Sequence, residues 1–149
     1  MTELRQRSKN LARIFDQQVG LYEGYARRQS LNGKCLSILM WLYYNPGGLT
    51  QNLVSKKTYS SKQVVNATIK KFQEKGLVFL EENSADKRHK KVKLTEAGKQ
   101  FASQILDPLE EAEKTALSQL SLEDQERLLE LTERYSQGLT DLLKGENDD

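Results

Sequence analysis

The stretch from Ser60 to Thr95, SSKQVVNATIKKFQEKGLVFLEENSADKRHKKVKLT, leaves the chain few ways to fold. Ser60 and Gln63 stand at capping-box spacing: the hydroxyl can accept from an amide of the first turn, and the Gln side chain can reach back. Val65, Ile69 and Phe72 fall at i, i+4 and i+7, one face of a 3.6-residue period. The other face carries Ser61, Lys62, Gln63, Asn66, Lys70 and Gln73. Gly76 stands where a left-handed residue ends a helix, and Lys75 before it suits the helix dipole. Leu77-Val78-Phe79-Leu80 is a short apolar run of strand length. Glu81 to Asp86 reads as a polar loop, and Lys90-Lys91-Val92-Lys93-Leu94 alternates as a half-exposed strand does. Thr95 is an acceptable N-cap for a following helix. Taken alone, the helix reads equally well as a wet surface helix. The basic hairpin behind it favours a winged helix-turn-helix reader.

The order KKFQEKGLV followed by ADKRHKKVKLTEAGK resembles the MarR family of bacterial transcriptional regulators. In that family the recognition helix ends in a Leu-x-x-Lys-Gly-Leu-Val-like stretch, the wing carries Asp-x-Arg, and the next helix begins Leu-Thr-x-x-Gly. The matching positions are Phe72-Gln73-Glu74-Lys75-Gly76-Leu77-Val78, Asp86-Lys87-Arg88 and Leu94-Thr95-Glu96-Ala97-Gly98. The close match spans residues 60–100. It implies a mainly α fold with a small β-hairpin wing: a winged helix-turn-helix with N- and C-terminal dimerisation helices. It also implies a homodimer, usually a repressor, binding double-stranded DNA and relieved by a small aromatic or lipophilic effector.

On this reading Ser61, Lys62, Gln63 and Asn66 reach base edges in the major groove. Gln and Asn can pair bidentately with adenine, and Lys with guanine. Lys70 and Lys71 lie further along and meet phosphates. Arg88 enters the flanking minor groove, where a guanidinium reads groove width. The resemblance implies that Asp86 holds Arg88 in place. Lys87, Lys90 and Lys91 supply phosphate charge, or else merely solubilise a loop.

The charge distribution agrees. The net charge is only +2, but residues 49–95 hold 11 basic and 4 acidic side chains, whereas residues 96–149 hold 5 and 14. A polyanion is the natural partner for the basic segment. At 149 residues one compact domain is the default, divided into an N-terminal dimerisation helix over 1–30, the reader over 31–95 and C-terminal dimerisation helices over 96–149. The chain has no apolar run long enough to span a bilayer and no signal-peptide core at its N-terminus. Its single cysteine fits a cytoplasmic location.

Along the chain, residues 3–28 suggest a first helix with an imperfect apolar stripe of Leu4, Leu11, Ile14, Phe15, Gln18, Leu21, Tyr22 and Tyr25. That stripe either packs within the chain or joins a dimer interface. Residues 30–33 form a break, and Cys35 to Tyr44 is apolar nearly all round, as a buried helix is. Asn45-Pro46-Gly47-Gly48 ends it. Thr50 caps a short helix over 51–57. This piece departs from the family, with Ser55, Thr58 and Tyr59 where apolar residues and a turn glycine are usual; Tyr59 is expected to pack the turn. A helix over 96–117 is expected to bend near Pro108. Ser121 starts a last helix through Leu128, Leu129, Leu131, Tyr135, Leu139, Leu142 and Leu143, and the tail from Gly145 is expected to be disordered.

No enzyme, metal site or cofactor is expected. The one histidine, His89, lies in the basic wing, and no Gly-rich phosphate loop follows a strand. Cys35 is a small buried hydrophobe or a redox-sensing thiol. Tyr22, Trp41 and Tyr44 are candidates for an effector crevice, and core packing explains them equally. A winged helix that binds a protein instead of DNA is the main alternative. An RNA-binding role lacks an aromatic stacking platform.

Overall fold

A computed structural model describes residues 2–83 and 86–144; the side chains of residues 83–88 lie outside it. The chain runs α1 (Glu3–Arg28), α2 (Gly33–Tyr43), β1 (Leu49–Thr50), α3 (Gln51–Thr58), α4 (Lys62–Glu74), β2 (Val78–Asn83), β3 (Asp86–Leu94), α5 (Glu96–Ser118) and α6 (Leu122–Leu143). Two compact units, residues 1–106 and 107–149, divide it within α5.

The first unit is built on α2. Asn32 caps that helix by accepting from the Cys35 amide at 2.8 Å, two residues ahead of the expected start. Cys35, Leu36, Ile38, Leu39 and Leu42 are buried, as an all-round apolar helix requires. Val54 of α3, Val65, Ile69 and Phe72 of α4, and Ala102, Ile105 and Leu106 of α5 are buried as well. Tyr25 of α1 donates its hydroxyl to the Ile105 carbonyl.

The sheet has three antiparallel strands in the order β1-β3-β2. Leu49 and Leu80 both face Val92. The side-chain alternation buries Leu49, Val78, Val92 and Leu94 and leaves the row of Phe79, Glu81, Lys91 and Lys93 on the other face. Two expectations need correction. The hairpin is longer than the apolar pattern suggested, because Glu81 to Asn83 and Asp86 belong to strands. The expected loop shrinks accordingly, and its centre, residues 84–85, lies outside the described residues. The third strand, β1, is only two residues long, too short to show any alternation.

The root of the hairpin is tightly specified. Gly76 takes φ +72° and ends α4 with paired bonds from Gly76 N to Gln73 O and from Leu77 N to Phe72 O, both 2.9 Å. Thr95 donates its hydroxyl to the Gly76 carbonyl at 2.7 Å and accepts from the Gly98 amide at 3.0 Å. Its own amide donates to the Leu77 carbonyl at 3.0 Å. A Cβ on Gly98 would stand 1.9 Å from that carbonyl oxygen. The Leu-Thr-x-x-Gly pattern is therefore a docking joint: a hydroxyl caps α5 while a bare backbone lets it meet the strand entry.

Helix α1 buries only Ala26, and Leu4, Ile14, Val19 and Leu21 are exposed. Much of its stripe is thus exposed, whereas Leu11, Phe15 and Tyr25 are half-buried. In the second unit, Ser121 caps α6 through the Asp124 amide at 3.1 Å, and no residue of α6 is buried. Leu122, Leu128, Leu129, Leu131, Leu139, Leu142 and Leu143 all remain exposed. Pro108 lies inside α5, just past the division between the units. The expectation for the tail after residue 144 falls outside the described residues.

Gly98→Ala should lower unfolding free energy by about 3 kcal/mol, because the clash is with backbone and cannot be relieved by a rotamer. Urea denaturation would measure it. A loss below about 0.5 kcal/mol would show that the joint is looser than this geometry.

Candidate nucleic-acid interface

The candidate interface starts at the turn between α3 and α4. Thr50 caps α3 by accepting from Leu53 N at 3.2 Å. The helix ends at Tyr59, whose backbone is left-handed at φ 52°, ψ 42°. Glycine adopts this conformation freely; for a tyrosine it costs about 1–2 kcal/mol. The tyrosine ring is 88% exposed, so it does not pack the turn as expected.

Hydroxyls and one ammonium supply the order instead. Thr58 Oγ1 donates to Val54 O at 2.7 Å, and its hydroxyl lies 2.9 Å from that of Ser60. Ser55 donates to the Ser60 carbonyl. Lys34 Nζ, from the first turn of α2, donates to the carbonyls of Thr58 at 3.0 Å and Tyr59 at 3.2 Å. The Ser55, Thr58 and Tyr59 departure from the family pattern is therefore a different solution to the same bend.

This network also moves the start of α4. Ser60, the expected cap, bonds Thr58 O at 3.2 Å. Ser61 is the N-cap and accepts from Val64 N at 3.1 Å, so the Ser60–Gln63 capping box does not form. Two adjacent serines made the residue identity ambiguous by one position.

Helix α4 buries Val65, Thr68, Ile69 and Phe72. Its exposed face presents Lys62, Gln63, Asn66 and Lys70, with Lys71 at the edge. Lys62, Gln63 and Asn66 line an open cleft of about 350 Å³ together with Gln51 and Asn52 of α3. Neither α3 residue stood out in the sequence. The available signal was their place directly after the Thr50 cap, in the first turn of a helix packed against α4. Val64 is also exposed on the first turn of α4, where a methyl group could meet a thymine methyl.

On the hairpin, Lys93 pairs with Glu81 at 2.8 Å and Lys90 with Glu82 at 3.7 Å. Both pairs are solvent-exposed and add little stability. Lys91 lies opposite Glu81 and Thr50 in the sheet. Asp86, Lys87 and Arg88 belong to β3, and their side chains lie outside the described ones.

The remaining candidates are dispersed. Tyr22 lines a cleft between α1 and α2 with Phe15, Val19, Glu23, Lys34 and Ser37. The Trp41 ring lies 5.4 Å from Lys57 Nζ, and Tyr44 lies 5.4 Å from the Tyr43 ring. The three aromatics have different immediate neighbours. Cys35 is 4% exposed, its sulfur 3.9 Å from the Thr68 hydroxyl. Among the described residues no group of His, Cys, Asp and Glu could hold a metal ion.

The model of the MarR family matches residues 29–89, from the entry into α2 through most of the wing. No curated protein matches the chain. A MarR family regulator from Neisseria meningitidis, NMB1585, is 22% identical and superposes with a TM-score of 0.77 over 96% of this chain and 97% of that one. The S. aureus MepR–DNA complex is also 22% identical, with a TM-score of 0.73 over 89% and 97%. MarR family regulator SP03579 is 16% identical, with a TM-score of 0.77 over 94% and 92%. At these identities the likeness is one of fold, and it covers the flanking helices as well as the segment that the family model matches.

The turn makes its own prediction. Tyr59→Gly should raise stability by about 1 kcal/mol by removing left-handed strain. Thermal unfolding would show it as a higher Tm, and a lower Tm would mean that the tyrosine side chain contributes more than its backbone costs.

Proposed function

We propose that the protein is a transcriptional regulator that binds double-stranded DNA through α4 and the β2–β3 wing. The observation carrying this reading is the exposed face of α4, where Lys62, Gln63 and Asn66 crowd its N-terminal half beside Gln51 and Asn52. Amides can read adenine bidentately, lysine reads guanine, and a recognition helix uses its N-terminal residues for base edges. Lys70 and Lys71 follow where phosphates would lie. Arg88 enters the minor groove with Asp86 supporting it, and Lys87, Lys90 and Lys91 contact the backbone. The neighbour MepR, of the same fold, has been solved with DNA.

The working form in this proposal is a homodimer on a pseudo-palindromic site, acting as a repressor in the cytoplasm. The apolar rows of α1 and α6, exposed in a single chain, support assembly, since isolated leucine stripes of this size are rarely left in water. A C2 pair places two recognition helices about 34–36 Å apart, one DNA turn. A small aromatic or lipophilic effector, with Tyr22, Trp41 and Tyr44 as candidate contacts, would relieve repression by spoiling that spacing. No chemistry is assigned to buried Cys35.

Selection of random duplexes by the purified protein at near-physiological salt should recover an inverted repeat. Only weak, sequence-blind binding would favour a protein-interaction module. On the recovered site, Asn66→Ala or Gln63→Ala should cost about 1–3 kcal/mol at one base pair; a uniform loss would demote them to phosphate contacts. Arg88→Ala should weaken binding strongly with an unchanged melting curve. Analytical ultracentrifugation of Leu128→Glu should show monomer where the parent protein shows dimer, and an unchanged dimer would remove α6 from the interface.

A further inference from the structure

We propose that Lys34 is a positioning residue for the recognition helix. It is remote in sequence from α4 and has no place in the motif that marks the reader. Its ammonium donates to both carbonyls that close α3, at 3.0 Å to Thr58 and 3.2 Å to Tyr59. The last carbonyls of a helix have no partners within it, and a cation there also offsets the negative end of the dipole.

The turn needs such a donor. It contains no glycine, and the residue in the left-handed region is Tyr59. Ser60 and Ser61 follow immediately, and Ser61 is the cap from which α4 begins. The other end of the clasp is rigid. Lys34 stands between Gly33, whose amide donates to Glu23 of α1 at 3.1 Å, and buried Cys35, whose amide is capped by Asn32. A Cβ at Gly33 would lie 2.5 Å from the Glu23 carboxylate and would displace it from the Gly33 amide. Lys34 therefore ties the buried central helix to the pivot from which Ser61 to Asn66 extend. The first turn of α4 carries the proposed base contacts, and hydrogen bonds weaken quickly outside about 2.7–3.2 Å. A loosened pivot would blur readout without removing any contacting group. This inference rests on the DNA-binding reading, but the clasp itself can be tested without DNA.

The test compares the full-length protein with Lys34→Met and Lys34→Arg. Hydrogen exchange is followed at the Ser60 and Val64 amides. Affinity is measured for the selected duplex and for an unrelated one across a salt series. In Lys34→Met those amides should exchange roughly tenfold faster, with the core of α2 unchanged. Affinity for the selected duplex should fall about tenfold, while affinity for the unrelated duplex and the salt slope stay as in the parent. Lys34→Arg, which keeps a cationic donor, should restore both. Unchanged exchange in Lys34→Met overturns the clasp. An equal loss on both duplexes, with a salt slope smaller by about one, overturns positioning in favour of a direct phosphate contact. A parent protein that selects no site would instead refute the DNA-binding reading, and the exchange result would still decide the clasp.

Discussion

The tight approach of the Gly98 backbone to the Leu77 carbonyl sets what its neighbours can do. With no room for a Cβ, α5 starts here without displacing the backbone only if residue 98 is glycine, and Thr95 then bonds the end of α4, the entry to β2 and the first turn of α5 together. Helix α4, the hairpin and α5 leave one joint in fixed directions. At the other end of α4 the turn network of Ser55, Thr58, Ser60 and Lys34 fixes its origin. A helix held at both ends, with its apolar side buried and its amides outward, is a rigid presenter of side chains. Rigidity of this kind favours sequence discrimination, because bidentate contacts tolerate little displacement.

Much of this arrangement was legible in the residues. The 3.6-residue spacing of Val65, Ile69 and Phe72 identified the buried face of α4, and the left-handed Gly76 closed it where the pattern required. The all-apolar run after Cys35 is the central helix, and Thr50, Thr95 and Ser121 each cap the helix expected of them. What escaped was local competition. Ser60 and Ser61 are equivalent as caps in sequence, and only the pull of Thr58 on Ser60 decides between them. Strand β1 escaped because two residues cannot display a period, and the hairpin was underestimated because its outer half is polar on both faces. Gln51 and Asn52 were invisible as site residues because their neighbourhood with α4 is tertiary.

The charge pattern has a physical division of labour. The basic residues gather in the segment that contains α3, α4 and the wing, and the acidic residues in the segment from α5 onward. On the proposed reading a polyanion attracts the first of these segments and repels the second. Within the wing, Glu81 and Glu82 partly neutralise Lys93 and Lys90. Such exposed pairs contribute little to folding. On the proposed reading they can exchange for phosphates at small cost.

The turn shows how one fold requirement can be met by different chemistry. A glycine would satisfy the left-handed position locally and leave the turn independent of its surroundings. Tyr59 makes the same bend conditional: its strain must be offset by bonds from elsewhere, and the ammonium that reaches its carbonyl comes from α2. Conditional geometry couples elements. Whatever displaces the start of α2 relative to α3 would be felt at the pivot of α4, through a side chain whose two acceptors are the final carbonyls of α3. A glycine turn would transmit less of that displacement, because it holds its shape without an external donor.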